Sequence, residues 1–593
     1  MYCKYCGKQI DDDSRYCRFC GKYLLTTPEV SEKEELNPVD LVKQYKTLAE
    51  QGDAEAQYKL GNSYEKGDGV EKDEQIAVTW WQKAAEQNNA SAQYSLGRYY
   101  CEKKEDKEQA FNFFQLASNN GNYEAMVCLG CCYKNGYGTI IDLSKTFNYT
   151  KQAADAGNAR GQRVLGMYYD NGTGVEKDLA KAVEWYAKAA EQGNAIAQCN
   201  LGYCYEYGNG VEKDLAKAVE WYTKAAEQGD ATAQCNLGVC YKYGNGVEKD
   251  LAKAVEWYTK AAEQGDATAQ CNLGVCYEYG NGVEKDLAKA VEWYTKAAEQ
   301  GYARAQCNLG NCYYYGNGVR KDLVKAVEWY TKAADQGHAT AQCNLGYCYE
   351  YWNGVGKDLA KTVEWYTKAA EQGNARAQCN LGVCYEYGNG VEKDLAKAVE
   401  WYAKAAEQGY ARAQCNLGYC YEYGNGVEKD LAKAVEWYAK AAEQGYARAQ
   451  CNLGVCYEYG EGVEKDLFSA VEWYTKAAEQ GNARAQCNLG YCYERGEGVE
   501  KDLFKAKKLY EKSAEQNDQM GIKKLNSYCE NYENDTIDPS NTHDNYFDPY
   551  EDYDEYYDNE YDEWKKDTWY AMTDGEYGDM PEGFDGDYDF LGY

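Results

Sequence analysis

The feature that most constrains the fold of this sequence is a tryptophan that recurs every 36 residues. Each copy lies in a near-repeat of Asp-Leu-Ala-Lys-Ala-Val-Glu-Trp-Tyr, at Trp185, Trp221, Trp257, Trp293, Trp329, Trp365, Trp401, Trp437 and Trp473. A leucine series with the same period runs from Leu60 to Leu525, and only the step from Leu96 to Leu129 is shorter, by three residues. This period indicates a two-helix repeat and predicts 13 units, flanked by a lone helix near 39–51 and a half-unit near 517–530.

Within one unit, the residue pattern predicts two helices and the turn that joins them. Apolar residues recur at helical spacing across 195–207, which indicates helix A. The glycines of 208–210 supply positive-φ positions that end helix A, Asp214 caps helix B, and Gly229 ends it. The sequence therefore predicts an all-α fold of stacked helix pairs.

Composition divides the chain into four predicted parts. All five prolines lie outside residues 39–530, the predicted array, because proline interrupts helices. Residues 1–25 form a cysteine module, 26–38 a polar linker, and 531–593 an acidic, tyrosine-rich tail predicted to be disordered. The tail holds 21 Asp and Glu against two lysines, which is −19 of the net charge of −33. This charge argues against nucleic acid or an anionic membrane as the main partner.

The first 25 residues carry a pattern typical of a metal site. The ligand candidates are two Cys-x-x-Cys pairs, Cys3 with Cys6 and Cys17 with Cys20, each followed by a glycine. Four thiolates in two such turns suit tetrahedral, structural Zn²⁺. The segment resembles the short zinc-ribbon found at the N-terminus of many prokaryotic proteins. A redox-active dithiol and a rubredoxin-like iron site are the alternative interpretations.

The repeat itself resembles a known family. The unit Ala-Xaa-Ala-Gln-Xaa-Xaa-Leu-Gly, followed by Gly-Xaa-Gly-Val-Xaa-Lys-Asp-Leu and Ala-Val-Xaa-Trp-Tyr, is similar to the Sel1-like repeat over roughly 490 of 593 residues. The resemblance implies a right-handed α/α superhelical solenoid, related to tetratricopeptide repeats, that acts as an adaptor. Secreted cysteine-rich members join helix A to a cysteine of helix B, where this chain has Ala225 and Ala226. We therefore expect reduced thiols and a cytoplasmic location, since no signal segment or membrane span is apparent.

The residues that catalysis would need are scarce. The chain has two histidines, His338 and His543, and its carboxylates recur identically from copy to copy. The paired helix-A cysteines, from Cys199 and Cys204 onward, lie five residues apart, about 140° around a helix, so one pair cannot share a metal. We interpret them as packing residues, with redox sensing as the alternative. The sequence predicts that the protein is not an enzyme.

Differences among the copies point to a candidate partner surface. Positions 196 and 203 vary and share a helix face with 200 and 207. In superhelices of this kind helix A usually lines the concave surface, so this Asn, Tyr and Arg ladder is predicted to bind proteins or extended peptides. The predicted residues are Tyr203, Tyr207, Arg304, Tyr315, Tyr347, Arg376, Arg412, Tyr419, Tyr423, Arg448, Arg484 and Tyr491. The alternative is a solvated face that drifted after duplication.

These observations favour a non-catalytic protein–protein interaction scaffold. A regulatory or nucleic-acid-linked protein driven by the zinc-ribbon is one alternative, and a secreted effector that binds host proteins is another. A further hypothesis is that tail segments such as 550–557 contact the arginines of the ladder within the same chain. The alternative for the tail is a solvating bristle.

Overall fold

The computed structural model describes residues 37–532, and every regular element in that range is an α-helix. The predicted zinc module, nearly all of the linker and the tail from residue 533 lie outside the described residues. The chain divides at Asp250 into two compact units. Among the described helices, none is both long enough and apolar enough to cross a bilayer.

Both units repeat the same alternation of helices. The first unit contains α1 Pro38–Glu50, α2 Ala54–Lys66, α3 Glu74–Glu86, α4 Ala90–Glu102, α5 Lys107–Asn119, α6 Tyr123–Asn135, α7 Leu143–Asp155, α8 Ala159–Asn171, α9 Leu179–Glu191, α10 Ala195–Tyr207, α11 Leu215–Glu227 and α12 Ala231–Tyr243. The second unit contains α13 Leu251–Glu263, α14 Ala267–Tyr279, α15 Leu287–Glu299, α16 Ala303–Tyr315, α17 Leu323–Asp335, α18 Ala339–Tyr351, α19 Leu359–Glu371, α20 Ala375–Tyr387, α21 Leu395–Glu407, α22 Ala411–Tyr423, α23 Leu431–Glu443, α24 Ala447–Tyr459, α25 Leu467–Glu479, α26 Ala483–Arg495, α27 Leu503–Glu515 and α28 Gln519–Tyr532. Even-numbered helices are A helices and odd-numbered helices are B helices.

The predicted caps define both ends of the helices. The Asn194 side chain accepts a hydrogen bond from the backbone N–H of Ala197 at 2.9 Å, and Asp214 accepts one from Lys217 at 3.0 Å. Gly208 ends α10 at φ 73°, in the left-handed region that glycine adopts without a steric penalty. These local contacts satisfy backbone groups that a helix end leaves unpaired, which explains why the bounds repeat so regularly.

In most pairs, a glycine of helix A and a tyrosine of helix B set the distance between the two helices. A Cβ added at Gly202 on α10 would lie 2.7 Å from the ring of Tyr222 on α11, and the Tyr222 side chain is completely buried. Any larger residue at position 202 would push the tyrosine away. The invariant Leu-Gly of helix A is therefore required by the close approach of the aromatic ring.

Glutamines connect each pair to the preceding one. The Gln198 side chain donates to the carbonyl of Ala190, near the end of α9, at 3.0 Å. Gln228, at the end of α11, donates to the Oε1 atom of Gln198 at 2.7 Å. The same arrangement occurs in the second unit, where Gln378 donates to Ala370 at 3.0 Å. Each helix-A glutamine thus satisfies a carbonyl at the C-terminal end of a B helix.

The short step between Leu96 and Leu129 comes from one turn. Residues 103–106 connect α4 to α5, whereas residues 208–214 connect α10 to α11. The shorter connection ends at Asp106, whose side chain still caps α5 by accepting from Gln109 at 3.0 Å. The all-helical solenoid predicted from the sequence is confirmed in both units, including its one irregular repeat.

The close contact between glycine and tyrosine generates the first prediction. Gly346→Ala should destabilise the second unit by about 1–3 kcal/mol, because the new methyl group would lie 2.7 Å from the Tyr366 ring. Chemical denaturation followed by circular dichroism measures the change.

Gly356→Ala is the matched control in the same repeat. Gly356 is exposed, and nothing lies within 4 Å of a Cβ built on it. We expect no measurable loss there, and equal losses in the two variants would contradict the assignment.

Candidate partner-binding face on the A helices

Two predicted tyrosines of the first unit lie side by side on α10. Tyr203 and Tyr207 are both exposed, Tyr207 by 58%, and their ring centroids are 4.5 Å apart. Side chains four residues apart are neighbours on a helix, so the two rings form one amphipathic surface. This surface can contact a partner without rearrangement.

The same kind of tyrosine pair occurs twice in the second unit, once between two predicted residues and once between the predicted Tyr347 and Tyr351, which was not predicted. Ring centroids are 4.6 Å apart for Tyr347 and Tyr351 on α18, and 4.5 Å apart for Tyr419 and Tyr423 on α22. The intervening α20 has Val383 at the first of these positions. The aromatic surface therefore differs from copy to copy, as a selective binding face requires.

An exposed tryptophan follows the tyrosine pair of α18. Trp352 ends this helix at φ 63°, in the left-handed conformation that glycine adopts at the end of most other A helices, for example at Gly388. Its side chain is 69% exposed. A non-glycine residue in this conformation is strained. We call Tyr347, Tyr351 and Trp352 the aromatic cluster.

The sequence comparison missed Trp352, although its signal is visible in the copies. Residues 351–354 read Tyr-Trp-Asn-Gly, where six other copies have Tyr-Gly-Asn-Gly. The predicted face was based on variable positions inside helix A, whereas Trp352 lies at the C-terminal end of that helix. A large apolar residue at a position that favours glycine is the feature that should have been noted.

Two predicted arginines contact asparagines of the preceding A helix. The Arg376 guanidinium donates to the Oδ1 atom of Asn344, and only 7% of Arg376 is exposed. The Arg412 guanidinium donates to the Oδ1 atom of Asn380 at 3.2 Å. Both arginines therefore join consecutive A helices, and the prediction that Arg376 lines an exposed groove is wrong, because its side chain is buried against Asn344.

A row of glutamates on the A helices was not singled out from the sequence. Each carboxylate accepts a hydrogen bond from the tyrosine hydroxyl 16 residues later, at 2.6 Å for Glu206 and Tyr222 and at 2.6 Å for Glu350 and Tyr366. The other pairs are Glu278–Tyr294, Glu386–Tyr402, Glu422–Tyr438, Glu458–Tyr474 and Glu494–Tyr510. The constant spacing of 16 residues was the available signal.

Burial and the predicted arginines act in opposite directions on these carboxylates. Burial raises the pKa of Glu386 and of Glu422, while the positive charges of Arg448 and Arg484 act to lower them. Each arginine lies two copies beyond the glutamate that it influences. The arginine ladder therefore offsets a row of buried negative charges, a role that repeat comparison could not show.

The remaining predicted residues lie in separate local groups. Arg304 and Tyr315 on α16 are partly exposed, and the Tyr315 ring centroid is 4.8 Å from that of Tyr314. Tyr491 on α26 lies 4.2 Å from the ammonium of Lys524. The structure thus places the predicted tyrosines in small clusters on individual A helices.

One copy replaces its glutamate and keeps the hydrogen bond. Tyr314 occupies the glutamate position on α16, and the hydroxyl of Tyr330 donates instead to the Oδ1 atom of Asn311 at 2.6 Å. Asn311 occupies the position of Tyr203 in the first unit. The buried hydroxyl therefore requires an acceptor, and a second substitution supplies it.

The helix-A cysteines and His338 have contacts that fit structural roles. The Cys271 sulfur accepts from the Asn308 amide at 3.8 Å, and burial raises the pKa of Cys204 to about 12. The imidazole Nδ1 atom of His338 accepts from the backbone N–H of Ala341 at 3.2 Å and so caps α18. A thiol with a raised pKa is a poor nucleophile.

Comparison with known families matches most of the chain. The Sel1 repeat matches thirteen stretches, at residues 54–89, 90–122, 124–158, 159–194, 195–230, 231–266, 267–302, 303–338, 339–374, 375–410, 411–446, 447–482 and 483–518. The chain belongs to the Sel1 repeat family. The thirteen matches confirm the predicted number of Sel1 repeats.

Solved structures include other Sel1 repeat proteins. A protective antigen present in uropathogenic Escherichia coli strains, which displays an SLR fold, is 35% identical, with a TM-score of 0.57 and coverage of 84% of this chain and 99% of that chain. A Sel1 repeat protein from Oxalobacter formigenes is 36% identical, with a TM-score of 0.40 and coverage of 51% and 87%. No curated protein matches the sequence. The Sel1 solenoid is typical of protein–protein interaction scaffolds.

A zinc-ribbon domain matches residues 2–24, outside the described part of the Sel1 chain. This match includes all four predicted cysteine ligands. Between residues 37 and 532, no three His, Cys, Asp or Glu side chains form a group that could hold a metal ion. Any zinc site of the kind predicted therefore concerns the N-terminal cysteines.

Glu278 generates a prediction about pH. Burial raises its pKa to about 7, against the weaker opposing effects of the hydrogen bond from Tyr294 and the charge of Lys285. A carboxyl whose pKa is higher in the folded chain stabilises the fold below its unfolded pKa, and this contribution is lost as the pH rises through the folded value. Glu278→Gln should therefore gain stability relative to the natural chain between about pH 5 and pH 8.

Thermal unfolding at several pH values measures this difference. Glu284→Gln is the control, because Glu284 is exposed in the turn that follows α14. A stability difference that does not change with pH in Glu278→Gln would contradict the proposed burial of the charge.

Proposed function

We propose that this protein is a non-catalytic scaffold that binds partner proteins or extended peptides on the exposed face of its A helices. In unit 2 the face comprises the tyrosine pairs of α18 and α22, and in unit 1 helix α10 carries a tyrosine pair of the same kind. Repeat proteins of this class bind partners along such surfaces, where each copy contributes a few side chains. Its predicted concave shape would allow an extended chain to contact several copies.

The strained Trp352 is the observation that supports this proposal most strongly. The strain at φ 63° destabilises the free protein, and the exposed indole contributes little burial energy to its stability. Tryptophan and tyrosine are the residues that dominate the binding energy of many protein interfaces. A partner that buries the aromatic cluster would therefore offset both costs, which gives the position a reason to differ from glycine.

The composition of the face supports binding and not chemistry. His338 caps α18, and the buried glutamates accept hydrogen bonds from tyrosines of their own repeats. Their partners are structural, and the same arrangement recurs through the array. We accordingly propose that the array has no catalytic role.

We further propose that Cys3, Cys6, Cys17 and Cys20 hold one structural Zn²⁺. The zinc-ribbon match and the four-thiolate donor set support this ligand choice, since zinc favours tetrahedral sulfur coordination. Bound zinc would stabilise the N-terminal segment by cross-linking its two Cys-x-x-Cys turns. We also propose that the protein functions in the cytoplasm, where thiols stay reduced.

The binding proposal predicts that Trp352→Gly makes the protein more stable and a weaker binder. Glycine relieves the left-handed strain and should stabilise the repeat by about 1–2 kcal/mol. Thermal unfolding measures stability, and affinity enrichment from the source cells with quantitative mass spectrometry measures retained partners.

Phe468→Ala is the matched control, because Phe468 is an equally exposed aromatic on the B helix α25. We expect it to leave partner capture unchanged. Full retention of every partner by Trp352→Gly would refute the proposed role of the aromatic cluster.

The zinc proposal predicts that Cys6→Ser combined with Cys20→Ser abolishes zinc binding. Elemental analysis of the purified protein should find zinc in the natural chain and in the control Cys101→Ser, whose cysteine is exposed on α4. The helical signal in circular dichroism should persist in all three, because the array has its own core. Equal zinc in both variants would disprove this ligand set.

A further inference from the structure

The last B helix, α27, departs from the charge pattern of the nine B helices before it, α9 to α25. In α15, the ammonium of Lys296 lies 2.7 Å from the Glu292 carboxylate and 3.9 Å from the centroid of the Trp293 ring. In α27 the equivalent positions are Lys512, Lys508 and Leu509. The acidic and aromatic partners of the exposed lysine have therefore been replaced.

This replacement puts like charges together on an exposed surface. Lys508 and Lys512 are four residues apart on α27, and both are exposed. A pair of lysines at this spacing destabilises a helix by a few tenths of a kcal/mol, whereas a Glu–Lys pair stabilises it. Helix α27 contains four lysines and two glutamates, while α15 contains two of each. An acidic ligand would remove the repulsion.

An exposed phenylalanine extends the same face. Phe504 lies four residues before Lys508, is 78% exposed, and occupies a position that is alanine in most copies. Phe468 holds the same position on α25, but there the lysine is paired, since Lys476 lies 2.8 Å from Glu472. We call Phe504, Lys508 and Lys512 the basic face of α27. It combines one apolar contact with two positive charges.

The arginine ladder is a less favourable binding site for an acidic segment. Arg412 donates to Asn380, and Arg448 and Arg484 act on the buried carboxylates of Glu386 and Glu422. The positive charges of these arginines already interact with polar and acidic side chains inside the array. The basic face of α27 has exchanged its acidic residue for another lysine, so its charge is directed to solvent.

A segment with acidic and aromatic side chains follows α28 in the same chain. Helix α28 packs against α27, with the Tyr510 and Tyr528 ring centroids 6.5 Å apart, and the acidic tail continues from it. Residues 550–557 read Tyr-Glu-Asp-Tyr-Asp-Glu-Tyr-Tyr, which alternates aromatic and acidic side chains. The chain between Tyr532 and Tyr550 can span up to about 60 Å, and α28 is only about 20 Å long.

We propose that residues 550–557 of the acidic tail bind the basic face of α27 in the same chain. Tyrosine rings cover Phe504, and the carboxylates pair with Lys508 and Lys512. The tether gives the segment an effective concentration on the order of millimolar, so weak contacts suffice. An external acidic partner would have to compete with the tail for this surface. The inference is independent of the partner face on the A helices.

Photo-crosslinking in the purified full-length chain tests the inference. A photoreactive phenylalanine analogue at position 504 should cross-link within one chain to a peptide that contains residues 550–557, as identified by mass spectrometry. The same analogue at position 432, the equivalent exposed alanine position of α23, is the matched control. The cross-link from position 504 should weaken at about 1 M salt, where charges are screened within about 3 Å.

Lys508→Glu separates docking from folding. This change restores the Glu–Lys pair of the other copies with Lys512, so α27 should not lose stability. The cross-link from position 504 should fall roughly five-fold, because attractive contacts with the tail become repulsive. Equal yields from positions 504 and 432, an unchanged yield in Lys508→Glu, or a cross-link between two chains would each overturn the proposal.

Discussion

Most of the array depends on one close contact, between a glycine of helix A and the buried tyrosine ring of helix B. At Gly202 and Tyr222 the ring occupies the space that a side chain at position 202 would need. Burying the ring also buries its hydroxyl, which must then find an acceptor. Glu206 provides it. In unit 2, arginines two copies away act to lower the pKa of three of the equivalent glutamates, Glu350, Glu386 and Glu422. A packing constraint therefore leads step by step to the charge pattern of the A helices.

Near-identical copies make departures from the pattern informative. Residues that serve the repeat, such as the glutamine that joins Gln228 to Gln198, recur because every interface needs them. Trp352 replaces a glycine that the helix end favours, and Lys508 replaces a glutamate that its neighbour would pair with. Both changes cost stability locally. Costs of this kind are expected where a surface is retained for binding.

The fold could be predicted almost entirely from the sequence, because its signals are local. Helix A at 195–207 and the caps at Asn194 and Asp214 follow from side chains that act on their own neighbours in the chain. The candidate site was less accessible. Tyr203 was recognised because its position varies, and Tyr207 because it shares the same helix face. Arg376 was expected to line a groove and is instead almost buried against Asn344. Asn344, the partner of Arg376, lies in the preceding copy, so the sequence of a single repeat does not show this contact.

The sequence by itself determined the family, the repeat number, the helix bounds and the four cysteines that match a zinc-ribbon. Periodicity and helix capping carry this information. Capping acts between residues a few positions apart, and the periodic pattern recurs along the array. Only the tertiary structure decided which polar residues face inward. The glutamate row, its tyrosine donors and the arginines that offset its charge are separated by 16 residues or by two copies, and burial alone distinguishes them from the exposed carboxylates of the B helices.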